Sequence, residues 1–170
     1  MSAGSKSTLR ARLGAHRGSS TGSGNHRGSI FRLHVGRALL AKESRHIPTW
    51  GVGSVAPVEL RSNPALMAEE ALWEKRVSAI IGSLPVCWVA AEDEASAASM
   101  RAFIVRNAIA LLSNRGASSN PPSSAWLGLQ SPRSEIASSG LWNLKHIDEQ
   151  YDAKFLDVFE QAVVDTLARG

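Results

Sequence analysis

Arg10, Arg12 and His16 fall within one short predicted helix, and a Gly- and Ser-rich stretch ending in His26 and Arg27 follows directly. Guanidinium groups stabilise negative charge on a phosphoryl group, and imidazole moves protons near neutral pH. These residue types therefore suit the binding of a phosphate-bearing anion. From Met1 to Arg37 there are six arginines and one lysine (Lys6, Arg10, Arg12, Arg17, Arg27, Arg32, Arg37), three histidines (His16, His26, His34) and no acidic residue. A surface of one sign is built to meet an anion, and nucleic acid is the commonest such partner. Lys6, Arg10, Arg17, Arg27 and Arg32 are the candidate nucleic-acid-binding residues.

The elements that must position them follow from periodicity. A helix is expected from about Thr8 to Arg17, with Ser7 as N-cap and Leu9 and Leu13 on one face. The stretch from Gly18 to Gly28 reads as a linker or, bracketed by Arg17 and Arg27, as a loop whose backbone N–H groups approach phosphate. Ser29 opens a second helix over Ile30 to Lys42, with Leu33 and Leu40 as core candidates. Glu43 to Pro64 is irregular, with a short strand expected near Val52 to Val58. Ala65 to Gly82 reads as a helix, Leu84 to Ala91 as a buried strand, Ala95 to Asn114 as a long helix and Ala153 to Ala168 as an amphipathic one. Ser139 to Asn143 has the composition of a tight turn anchored by Trp142.

Composition narrows the classes. With 170 residues and 44% hydrophobic content the chain can bury a core. The net charge of +4 hides an asymmetry, because His146 to Gly170 carries six acids against Lys154 and Arg169. The single cysteine, Cys87, can form neither an internal disulfide nor a multi-cysteine zinc site and reads as a small buried hydrophobe. No apolar run is long enough to span a membrane, so no membrane association is expected, and a cytoplasmic location is the default. The Arg- and Ser-rich start also has the composition of a transit peptide. The histidines lack zinc-site spacing, and the adjacent pairs Glu69/Glu70 and Asp148/Glu149 read as solvated faces.

Thr8 to His16 resembles the helix that follows the second tyrosine-bearing element of the GIY-YIG nuclease family. Phe103 to Asn114 is similar to that family's later helix, in which a metal-binding glutamate precedes an asparagine by two positions. Ser118 to Gly128 and Ser138 to Asn143 resemble the C-terminal extension of a bacterial subgroup, from about residue 115 to 170. The resemblance implies one domain over residues 1–170, of α/β (α+β) class, helix-rich, with a remnant of a small sheet flanked by helices. It implies an endonuclease-like protein acting on DNA by metal-assisted phosphodiester hydrolysis, with Mg2+ or another divalent cation as cofactor if active. Arg12 would be the catalytic, phosphate-stabilising arginine and His26 a catalytic histidine; the alternatives are a solvated helix face and an ordinary loop histidine.

The chain also departs from the family. The tyrosine hairpin is not found, the only tyrosine being Tyr151, so the resemblance implies an N-terminally truncated member. Val105 stands where the metal-binding glutamate should be, and a valine cannot ligate a hard cation. Activity is therefore expected to be weakened or lost, and no metal ligand is assigned. The alternatives are a non-catalytic basic DNA-binding module, and an interaction protein that forms a homo-oligomer or pairs its acidic C-terminal helix with a partner.

Overall fold

The computed structural model describes residues 8–19, 21–94, 96–115 and 121–169. Seven α-helices occur among them: α1 (Leu9–Arg17), α2 (Ile30–Lys42), α3 (Val58–Ser62), α4 (Pro64–Gly82), α5 (Met100–Leu112), α6 (Ser134–Ser139) and α7 (Lys154–Leu167). Single 3-10 turns cover His26–Gly28 and Leu127–Gln130. The expected α/β (α+β) class is corrected here: among the described residues there is no strand and no sheet remnant. A strand exists only where a neighbour completes its ladder, and Leu84 to Ala91, apolar enough for one, has no such neighbour. Residues 85–92 run irregularly, with the Ala90 N–H donating to Thr166 Oγ1 at 2.8 Å and Trp88 59% exposed. Cys87 is exposed for the same reason. The strand expected near Val52 is instead a series of turns around Gly51 and Gly53, followed by α3.

The chain divides into two compact units, the first built from Ser7–Leu84 and Ser123–Ala137, the second from Pro85–Pro122 and Ser138–Gly170. In the first unit, Ser29 caps α2 by accepting from the Arg32 N–H, and Asn63 caps α4 with Pro64 at its first position. These two helices bury Val35, Ala38, Leu39 and Leu40 from α2 and Trp73, Val77 and Ile81 from α4, around Trp50, Leu60 and Ile136. Gly36 is required where it stands, since a Cβ there would overlap the Trp50 ring. Trp50 and Trp73 send their indole N–H groups to the Leu33 and Gly36 carbonyls, each at 3.3 Å. Arg45 and Arg76 lie over the Trp73 ring.

The second unit packs α5 against α7 around Ile147, Phe155 and Ala162. Asn107 ties them: its Nδ2 donates to Phe103 O at 2.8 Å and its Oδ1 accepts from the Asp152 N–H at 2.7 Å. No helix among the described residues is long and apolar enough to cross a membrane.

Candidate nucleic-acid interface

The basic segment lies in the first unit. Thr8, not Ser7, caps α1, its hydroxyl accepting from the Ala11 N–H; Ser7 and Lys6 lie outside the described residues. No residue of α1 is buried, and Leu9, expected to face the core, is 51% exposed. The helix is held by polar contacts instead. His16 Nδ1 is 2.7 Å from Ser29 Oγ, and the His16 carbonyl accepts from Arg32 Nη1 at 2.9 Å. Burial, and then the charges of Arg12 and Arg32, hold the His16 pKa below the ordinary histidine value.

Beneath α1 lies a buried polar network. Arg32 and His26 are 0% and 1% exposed, and both meet Glu74. Arg32 donates through Nε to Glu74 Oε2 at 3.0 Å, and through Nη2 to Oε2, to the Glu74 carbonyl and to Ser78 Oγ. Glu74 Oε1 accepts from the His26 backbone N–H at 2.6 Å and from His26 Nδ1 at 2.9 Å. On the far side of the ring, His26 Nε2 accepts from the Gly51 N–H at 3.0 Å. The hydrogen bonds thus assign a neutral imidazole with its proton on Nδ1, stacked on Trp50 at 3.9 Å. Burial alone would raise the Glu74 pKa, but hydrogen bonds from His26 and Arg32 overcome it and hold the carboxylate below its usual range.

A second pair lies one helical turn away. Arg27 meets both Glu70 oxygens, at 2.5 and 3.0 Å, and also donates to the carbonyls of Thr49 and Val52. Thr49 Oγ1 donates to Glu70 Oε2 at 2.7 Å. Against the opposing effect of burial, the Arg27 and Thr49 hydrogen bonds keep the Glu70 pKa low. Glu70 is therefore no solvated face, and it and Glu74 are the residues that sequence reasoning missed. The available signal was their separation of four residues, which aligns both carboxylates on one side of α4; the adjacent pair Glu69/Glu70 diverges.

The candidate residues thus separate. Arg27, Arg32 and His26 face inward and are occupied by Glu70, Glu74 and backbone groups. Arg17 is exposed and donates to the Gly82 carbonyl at 3.1 Å. Arg10 is exposed and Arg12 half-buried, and neither guanidinium group makes a hydrogen bond or ion pair with any described residue. Val105 sits half-buried on α5, in the second unit.

Among the described residues no three His, Cys, Asp or Glu side chains gather as a divalent cation needs, and the oxygens of Glu70 and Glu74 are already taken by cations and N–H groups. The donor set does not fit the metal that the resemblance implies. No curated protein and no solved structure matches the chain. A family model described as the GIY-YIG domain matches residues 1–169, nearly the whole length, and the chain belongs to the GIY-YIG nuclease family.

Proposed function

We propose that the protein binds DNA through phosphate contacts made by α1, chiefly by Arg10 and Arg12, with phosphodiester hydrolysis weak or lost. The observation that carries this reading is the division of the arginines. Two are locked onto buried carboxylates, whereas Arg10 and Arg12 stand on an acid-free helix with no internal partner. Unpaired guanidinium groups are what phosphate contacts require, and family membership makes DNA the expected polyanion. The buried network has a structural role in this account: Arg32 bonds α4 to the end of α1 and so sets where the outer arginines stand. His26 is then a positioning residue, since both of its ring nitrogens are taken.

The second reading, an active nuclease, rests on the family and on Arg12 as the phosphate-stabilising arginine. Its weak point is oxygen ligation, because Val105 offers none. Incubation of labelled duplex with the protein and added Mg2+ separates the two: salt-sensitive binding without cleavage is expected, and Mg2+-dependent cleavage that Arg12→Gln abolishes would establish the nuclease instead.

A further inference from the structure

The loop after α1 forms one wall of a cleft of about 400 Å3, and the last two turns of α4 form the other. Arg17, Gly18 and Gly22 contribute to the first wall, Lys75, Ser78 and Gly82 to the second. Glycine keeps the first wall open. Gly18 has φ of +80°, and a Cβ there would overlap the Ser23 carbonyl and come within 2.8 Å of Ser78 Oγ. Gly22, at φ +81°, lays bare backbone along the Lys75 stem. The loop holds its own shape, with the Ser19 N–H donating to Ser23 O at 2.7 Å and the Gly22 N–H to Ser19 O at 3.0 Å.

The functional groups that face this space are donors. The Lys75 ammonium has no hydrogen-bond or ion-pair partner among the described residues. Arg17 uses one nitrogen on Gly82 O and keeps the rest of its fork. Ser78 is 7% exposed; its Oγ accepts from Arg32 at 3.0 Å, and its hydroxyl proton has no acceptor among the described residues. None of the residues lining the cleft is acidic. Both α1 and α4 end here, and a helix C-terminus carries roughly half a negative charge. Several of the final carbonyls are nonetheless met, Gly14 O by the Gly18 N–H, His16 O by Arg32, Ala79 O and Ile80 O by the Ser83 N–H, and Gly82 O by Arg17. The full charges of Arg17 and Lys75 outweigh two helix ends of roughly half a charge each and leave the cleft positive.

We propose that this cleft seats the terminal phosphate of a nucleic-acid strand, with its nucleotide, next to the helix that grips the duplex. The proposal rests on the DNA-binding reading of α1. The cleft is several times larger than one phosphate group, and a terminal phosphomonoester, unlike a diester within a backbone, brings a second negative charge and a third free oxygen to the donors of Arg17, Lys75 and Ser78. A phosphorylated strand end can enter.

The test compares labelled duplexes that differ only in their ends, hydroxyl or phosphate at 5′ and at 3′, by fluorescence anisotropy with the full chain. One phosphorylated end is expected to bind about tenfold tighter, the scale of a charge-assisted hydrogen bond, and Lys75→Gln and Arg17→Gln are each expected to collapse that ratio. Arg12→Gln should weaken all duplexes alike. Equal affinity for every end, or a preference that survives both cleft variants, overturns the proposal while leaving DNA binding intact. If no duplex binds, the reading of α1 has failed, and the cleft is read separately through protection of Lys75 from acetylation. Protection by a phosphorylated dinucleotide, and not by its hydroxyl counterpart, supports the cleft. Protection by inorganic phosphate alone, or by neither, overturns it.

Discussion

Glu74→Gln removes the charge on which the first unit's polar interior depends. In the wild type four donors converge on two Glu74 oxygens: the His26 N–H and Nδ1–H on Oε1, and Arg32 Nε and Nη2 on Oε2. Glutamine keeps one oxygen, and its amide must face either Arg32 or His26, both of which donate. The 0%-exposed Arg32 guanidinium is then left without its counter-charge. Breaking a buried pair by removing one partner costs about 3–5 kcal/mol, a large share of the roughly 5–15 kcal/mol that holds a domain together. Urea titration followed by Trp fluorescence is the assay, because Trp50 stacks on the His26 ring and reports this interior directly. Glu69→Gln serves as the control: its pair with Arg45 spans 3.4 Å between side chains 36% and 46% exposed and is worth at most about 1 kcal/mol. Because the Glu74 pKa is depressed on folding, its contribution is present above the ordinary carboxylate range and is lost as pH falls through the lower folded value. The wild-type advantage over Glu74→Gln should therefore shrink in acid. A loss below about 1 kcal/mol at neutral pH, comparable with the control, would refute the reasoning.

His34 is 3% exposed with neither ring nitrogen hydrogen-bonded, and burial, then Arg37 and Arg133, lower its pKa against the opposing Glu135. The unfolded chain takes up that proton first, so stability should fall as pH drops below about 6.5. His34→Leu should remove that slope and gain about 1 kcal/mol near neutrality by deleting unsatisfied nitrogens; destabilisation at both pH 7 and pH 5.5 would contradict this. Gly36→Ala should destabilise by about 1–3 kcal/mol despite alanine's better helix propensity, because its Cβ displaces Trp50. A shifted Trp emission in the folded state should accompany the loss, and unchanged stability would show that the ring can yield.

Where a helix carries its own punctuation, the sequence was enough to find it. Ser29 and the apolar spacing of Ile30 to Lys42 mark α2, and Gly82 marks the end of α4. The long helix expected from Ala95 begins only at Met100, because Ser99 caps it by accepting from the Ala102 N–H. The six-residue α6 and the turn at Leu127–Gln130 are too short to show a period. Strands were misread for a different reason: Leu84 to Ala91 has the right composition, but pairing is a property of two segments and composition describes one. The polar interior was equally hidden. Arg32 and Glu74 stand 42 residues apart, and a one-signed run such as Met1 to Arg37 reads as surface until its distant carboxylates are found.

The measurement that tests the central claim most directly is the salt dependence of duplex binding by the wild type, Arg10→Gln and Arg12→Gln. If α1 grips phosphates, log affinity falls linearly with log salt concentration, and each substitution reduces the slope by about 0.9 while leaving thermal stability unchanged. Binding that ignores salt, or a slope that neither substitution alters, would contradict the account.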